Sequence, residues 1–437
     1  MVITGAVLFY LVISRGYWNF GVRITDYMNV KSTISFENTE YAFDYKTNEE
    51  LKSARFLFSS MGKPWLVKLG LKITPFAIKW HIPFTIAIIR KTIFQQFVGG
   101  ETLLQTANKV DKLEQYNVQV ILDYGVEGGH RGEEGFIQAT QEFINVINYA
   151  ATQPNIPFMS IKLTGISRFD LLVKIDEAMK QVKGTLMQRY LSVVEKLPEI
   201  EKEEWRRVCA RLMQLCNTAA DKKVGVLIDA EETWIQEPLD AVTILMMDIF
   251  NRSNAIIFNT LQMYRHDRLR FLKDYYDAAN ERSFILGVKL VRGAYMDKER
   301  KRAADMNYPS PIQVDKEACD KDYNEAVEFC MDHLDRIYVI VASHNEYSNL
   351  LPLTIMDRKG WAFDHPNVHF SQLYGMSDNI TFNLAKAGCS VSKYLPFGPI
   401  NDVIPYLMRR AQENSSVAGQ TGRELGLIKK EIKRRGI

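Results

Sequence analysis

From residue 118 onward the chain alternates between two hydrophobic rhythms. Short apolar runs closed by polar residues recur at VQVILDYGVE (118–127), FMSIKLTG (158–165), VGVLIDAEE (224–232) and AIIFNTLQ (255–262). They continue at ILGVKLVRGAY (285–295), YVIVASHN (338–345), VHFSQLYGM (368–376) and KYLPFG (393–398). Between them lie amphipathic stretches at 136–151, 170–220, 237–252, 263–281, 314–335, 346–357 and 377–387. The short runs read as buried strands and the longer stretches as helices. Parallel strands need a crossover between them, so the alternation predicts an α/β fold with a parallel sheet. Eight repeats predict a closed (βα)8 barrel of the TIM type. No GxGxxG follows the first run, which counts against an open dinucleotide-binding sheet.

Polar residues gather at the carboxyl ends of these runs: Asp123 and Glu127, Lys162, Asp229 with Glu231, Gln262, Lys289 with Arg292, and His344 with Asn345. Each alone fits a loop cap or a polar plug. In register on successive strands they mark the face where barrel enzymes place their active sites.

The chain upstream is different. Residues 51–100 carry Lys52, Arg55, Lys63, Lys68, Lys72, Lys79, Arg90 and Lys91 and no Asp or Glu. Bulky apolar residues run between them, among them Trp65, Leu69, Phe76, Trp80 and Phe84. Such a stretch can attract anionic lipid headgroups while burying an apolar face, and it equally fits core-packing helices with a solvated basic face. Pro64, Pro75 and Pro83 predict a series of short helices. Residues 2–14 are apolar but short for a bilayer span, and neither a basic segment before them nor a cleavage site after them marks a signal. The expected division is a leader over 1–27, an N-terminal helical segment over 28–114, a barrel over 115–416 and a basic tail over 417–437.

Composition removes several function classes. A hydrophobic fraction of 46% excludes disorder, and 55 basic against 52 acidic residues give no general affinity for nucleic acid. The five cysteines form no CxxC pair, which fits a reducing compartment and no structural metal.

GVKLVRGAY (287–295) and IPYLMRRAQEN (404–414), with SIKL (160–163), IDAEE (228–232), SHN (343–345), QLYGM (372–376) and YLPFG (394–398), resemble proline dehydrogenase. The likeness covers the chain from about residue 118 to 416. It implies a distorted (βα)8 barrel with non-covalent FAD and a final helix over the barrel mouth. It also implies oxidation of L-proline to Δ1-pyrroline-5-carboxylate, with electrons passed to membrane quinone. The expected location is a peripheral membrane surface: the inner face of a bacterial cytoplasmic membrane or the cytoplasm, with the matrix side of the mitochondrial inner membrane as the alternative. No aldehyde-dehydrogenase module follows residue 437, so a separate pyrroline-5-carboxylate dehydrogenase is expected downstream.

The resemblance also assigns residues. Proline is a zwitterion, and Arg409, Arg410 and Lys162 match the cationic clamp for its carboxylate. Glu127 matches the carboxylate that pairs with the first arginine. Tyr295, Leu373, Tyr394 and Tyr406 match the wall around the pyrrolidine ring, with Asp229 supporting it by holding a tyrosine. For the flavin, Gln262, Lys289, Val291 and Gly293 match positions near the isoalloxazine, and Asp229, Ala230 and Glu231 lie along the same rim. Ser343, His344 and Asn345 match the adenosine and phosphate side, and Glu413 a further cofactor-side carboxylate. Lys162, Asp229, Tyr394, Arg409 and Arg410 form the expected catalytic set. Lys289 departs from the arginine of bifunctional bacterial enzymes and resembles the monofunctional eukaryotic type. No general base for the substrate amine is named.

Three other readings compete. Hydroxyproline oxidation is disfavoured by Tyr394, where that branch carries a small residue. A Schiff-base aldolase would use Lys162 or Lys289 and would be colourless. A membrane adaptor would leave the converging strand ends unexplained. The basic tail, with Lys429, Lys430, Lys433, Arg434 and Arg435, fits two readings: contact with an anionic membrane, with Leu425, Leu427, Ile428 and Ile432 inserting shallowly if it is helical, or a solvated tail that only aids solubility.

Overall fold

The computed structural model describes residue 30 and residues 34–80, 82–125, 132–416 and 420–437. Eight parallel strands close into a barrel in sequence order. They are β1 (Gln119–Tyr124), β2 (Phe158–Ile161), β3 (Gly225–Ile228), β4 (Ile257–Gln262), β5 (Leu286–Val291), β6 (Ile337–Ala342), β7 (Val368–Leu373) and β8 (Val391–Phe397). Each of the eight apolar runs supplies one of them.

Ahead of the barrel come α1 (Thr39–Phe43), α2 (Asn48–Met61), α3 (Pro64–Lys79), α4 (Thr85–Ile89) and α5 (Leu103–Glu114). A π-helical turn, Arg90–Phe94, continues α4. Pro64 opens α3 at its first turn, where a missing N–H costs nothing. Position 75 lies inside α3, so this proline does not divide the region as expected.

The crossovers are α6 (Gly132–Ala150), α7 (Phe169–Lys180), α8 (Leu186–Glu195), α9 (Glu199–Lys222), α10 (Gln236–Phe250), α11 (Arg268–Arg282), α12 (Met296–Asp305), α13 (Lys316–Asp332), α14 (Glu346–Lys359) and α15 (Asp378–Lys386). The long stretch 170–220 is thus three helices. Thr185 starts the second with a reciprocal capping box to Gln188, and Pro198 precedes the third. Helix α12 lies outside the expected stretches, because MDKERKRAAD is short and holds only Met296, Ala303 and Ala304 as apolar residues.

Side chains alternate across each strand, and one face of every strand points into the barrel. The floor is aromatic. Phe158 meets Phe258 at 5.5 Å, Tyr338 at 6.1 Å and His369 at 5.0 Å, all edge to face. Gly225 pairs with Phe158 across the sheet, and a Cβ there would lie 2.3 Å from that ring, so only glycine leaves room for this plug. The outward faces pack on the helices in one continuous apolar core.

The last two helices, α16 (Ile400–Ser416) and α17 (Gln420–Arg435), decide the architecture around the mouth. Helix α16 crosses above the strand ends. Val403 Cγ1 sits 2.7 Å from where a Cβ would stand on Gly125, past β1, and Gln412 bonds Asp297, past β5, at 3.1 Å. Helix α17 packs on α2 and α1. Leu427, Ile428 and Ile432 are buried with Phe43, Leu51 and Phe58 in a second core that also holds Val403, Tyr406 and Leu407 of α16. Leu427, Ile428 and Ile432 are therefore not available for membrane insertion, contrary to the membrane reading of the tail. Arg435 is likewise spent on Glu431 at 2.7 Å and on the carbonyls of Phe43 and Lys46 at 2.8 Å.

Candidate active site

Register brings Asp123, Lys162, Asp229, Thr260, Gln262, Lys289 and Tyr394 onto the inward face of the barrel. Asp123 pairs with Ser160 and Pro396, and Lys289 pairs with Thr260 and Ile340. All sit near or beyond the strand carboxyl ends, under α16.

Asp229 is the hub. One of its oxygens takes the Lys289 ammonium, and the other accepts a hydrogen bond from the Tyr394 hydroxyl at 2.7 Å and lies 3.6 Å from Lys162. Lys162 also stands 3.5 Å from Asp123, and Lys289 lies 5.2 Å from the centre of the Tyr394 ring. Two carboxylates thus balance two ammonium groups in a pocket where Lys289 is only 5% exposed. Burial pushes the Asp229 carboxyl up, but Lys289 and Lys162, with the hydrogen bonds from Lys289 and Tyr394, outweigh it and hold the group down at about 2. Burial first, then the charges of Asp123 and Asp229, push the Tyr394 phenol well above its ordinary value.

The roof supplies two more cations. Adjacent helical residues point about 100° apart, so Arg409 and Arg410 diverge. Arg409 lies 5.8 Å from the centre of the Tyr295 ring, and Arg410 lies 5.2 Å from that of Tyr406. Arg410 pairs with Glu413 at 2.6 Å, one turn along. Burial raises the Glu413 carboxyl, with Arg410 and Arg409 opposing it. Among the described residues the buried Tyr406 hydroxyl has no hydrogen-bond partner. Leu373 ends β7 beside Tyr394, with which it pairs.

The rim residues differ in what they hold. Gln262 and Val291 are register partners at the tops of β4 and β5. The buried Gln262 Oε1 and Thr260 Oγ1 have no partner among the described residues. Gly293 adopts φ +134°, and a Cβ there would lie 2.5 Å from the Tyr264 ring, so the loop after β5 requires glycine. Glu231 faces the neighbouring loop: it accepts from the Thr164 amide at 3.2 Å and hydroxyl at 2.6 Å, and burial raises its carboxyl to about 7. Ala230 is half-buried beside Asp229.

Ser343 accepts from Arg292 at 2.7 Å, and Asn345 caps α14 through the Ser348 amide at 3.0 Å. His344 shares a 2.8 Å hydrogen bond with Ser377, and burial, with Lys393, Arg410 and Arg292 nearby, lowers its imidazole to about 3. Glu127 lies outside the described residues.

Sequence reasoning noted Asp123 only as a strand-end polar residue. Its contact with Lys162 makes it part of the charge cluster, and its place two residues after the inward Ile121 was the available signal. Arg292 stands near the end of the fifth run in the sequence, with no partner that the sequence identifies. It fixes the rim through Asp320 at 2.7 Å, Ser343 at 2.7 Å and Ser348 at 2.9 Å.

The proline dehydrogenase family model matches residues 106–423. A hydroxyproline dehydrogenase of Xenopus laevis is 32% identical over 90% of this chain and 88% of its own. A mitochondrial proline dehydrogenase 1 of Dictyostelium discoideum is 31% identical over 79% of this chain and 65% of its own. Among solved structures, proline utilization A of Bdellovibrio bacteriovorus, inactivated by N-propargylglycine, shares the fold with a TM-score of 0.65 at 19% identity. The alignment takes in 78% of this chain and 36% of that one. With the matched model spanning the barrel and its roof, the chain belongs to the proline dehydrogenase family.

Proposed function

We propose that the chain oxidises L-proline to Δ1-pyrroline-5-carboxylate, with FAD as its cofactor and a quinone as the final acceptor. The observation that carries this reading is the buried cluster of Asp229, Lys289, Lys162 and Tyr394 beneath the arginines of α16. Its parts suit a small zwitterion. Lys162 and the two arginines supply cations for a carboxylate, and Tyr394, Leu373, Tyr295 and Tyr406 supply an apolar wall for a ring. Asp229 fixes the Tyr394 phenol so that the wall keeps its place.

The rim fits a flavin. Gln262 and Thr260 offer buried polar atoms that have no partner among the described residues, and Lys289 places a cation at the same level, suited to a polar heteroaromatic ring. Gln262, Lys289, Val291 and Gly293 would hold that ring, and Arg292 anchors the loop that carries Gly293. When bound, the flavin supplies the hydride acceptor for the substrate C–H. Lys289 would favour negative charge next to it. The substrate nitrogen gives up its proton to solvent water as the C=N bond forms.

A second reading, hydroxyproline oxidation, is favoured by the Xenopus relative. The fixed phenol of Tyr394 works against it, because it fills the space a ring hydroxyl needs. The mitochondrial names of the Dictyostelium and Arabidopsis thaliana relatives favour the matrix face of the mitochondrial inner membrane as the working location. Among the described residues no helix is long and apolar enough to cross a membrane.

One spectrum tests the reading. Purified protein should show flavin absorbance that bleaches on anaerobic addition of L-proline. A colourless protein that takes up no FAD would overturn it.

A further inference from the structure

Helix α3 has two apolar faces, and only one of them is packed. Val67 and Leu71 join the second core, and the helix lies against α16. On the other side Trp65, Leu69, Ile73, Phe76 and Trp80 follow at intervals of four, four, three and four residues. On a helix of 3.6 residues per turn these make one stripe. Every one of them is exposed, from 46% at Leu69 to 66% at Trp65 and Trp80. Phe84 at 79% and Ile88 at 62% carry the patch around the turn into α4. Single exposed apolar residues are ordinary, but a continuous row of large ones is an interaction surface.

The frame around the stripe is positive. Lys68 and Lys72 are exposed one turn apart on its flank, and Lys91 is exposed beyond α4. Arg90 is paired with Glu101 at 2.6 Å, so its charge is already balanced. No Asp or Glu occurs from residue 51 to residue 100.

We propose that α3 and α4 form a docking face for an anionic phospholipid bilayer. Helix α3 would lie in the interface plane, with its stripe at the boundary of headgroups and acyl chains and its lysines against lipid phosphates. The two tryptophans stand near opposite ends of the helix, about 22 Å apart at 1.5 Å per residue, and both suit the interfacial layer. A second copy of the chain fits less well, because it would bring like charges together around the stripe.

Docking has a consequence for the barrel. The inner face of α3 packs on α16, whose Arg409 and Arg410 roof the mouth. A lipophilic electron acceptor dissolved in the bilayer then reaches the protein beside that roof. Only this consequence rests on the proposed oxidation; the docking itself rests on the surface of α3 and α4.

Co-sedimentation of the full chain with vesicles tests the docking without substrate or flavin. One set is phosphatidylcholine alone, and the other adds about 30% phosphatidylglycerol. The expected result is binding to the second set that weakens as salt is raised. Two full-chain variants, Trp65→Ser/Phe76→Ser/Trp80→Ser and Lys68→Glu/Lys72→Glu, should each partition at least about thirtyfold more weakly. Their thermal midpoints should match wild type, because the altered side chains already lie in water. Absence of wild-type binding to anionic vesicles, or equal binding by the variants, would overturn the proposal. So would a stable wild-type dimer that the triple variant converts to monomer, which would assign the stripe to a second copy.

Discussion

Asp229→Asn removes one charge from the pocket and keeps its shape. The amide can still accept from Tyr394, so the change isolates the carboxylate's role as counter-ion to Lys289 and Lys162. Holding the carboxyl at about 2 rather than 3.8 corresponds to about 2–3 kcal/mol of stability, at roughly 1.4 kcal/mol per pH unit. Breaking a buried pair by removing one partner costs about 3–5 kcal/mol. Asp123 remains for Lys162, so the expected loss at pH 7 is about 2–4 kcal/mol. The folded pKa lies below the unfolded one, so this stabilisation is full above about pH 4 and is lost as pH falls through about 2. Urea midpoints for both proteins at pH 7 and pH 3 measure it. The gap should be plain at pH 7 and shrink by roughly half at pH 3. Equal midpoints at pH 7, or a gap that does not change with pH, would show that Asp229 is not the counter-ion.

Other outcomes follow from the same geometry. Arg410→Ala should lower kcat/KM for L-proline by at least about tenfold, chiefly through KM, while flavin content changes little; steady-state kinetics and absorbance check both. An unchanged kcat/KM would place Arg410 outside the site. Tyr394→Ser should shift preference toward trans-4-hydroxyproline by weakening proline, and a constant ratio of the two kcat/KM values would remove Tyr394 from the ring wall. Ile428→Ala, in the core between α17 and α2, should cost about 2–5 kcal/mol in a denaturant titration. A neutral substitution would mean that α17 does not pack as it does here.

The inward and outward faces of the barrel were legible in the sequence because a strand alternates with a period of two. Once VGVLID and LGVKLV are strands, Asp229 and Lys289 must share a face with Leu227 and Gly287. What the alternation does not contain is partnership. That Asp229 binds Lys289, Lys162 and Tyr394 together depends on strands separated by up to 165 residues along the chain. Asp123 was undervalued for the same reason: its contact with Lys162 forms only when β1 and β2 pair side by side. Helix α12 escaped because it is short and charged, with little apolar face for a periodicity to reveal.

The amino acid order by itself determined the repeating strand and helix, the closed barrel of eight, and the clustering of charge at one end. These follow from local hydrophobic period and from the need of parallel strands for crossovers. Tertiary structure alone decided the fate of the two ambiguous segments. The carboxyl end and residues 64–93 both mix basic and bulky apolar residues, and nothing in their sequence says which apolar side chains find a partner. Helix α17 meets α1 and α2 and buries Leu427, Ile428 and Ile432, whereas α3 spends one face on α16 and leaves Trp65, Phe76 and Trp80 in water. Burial is a property of the neighbour as much as of the residue, and those neighbours come together only when the chain is folded.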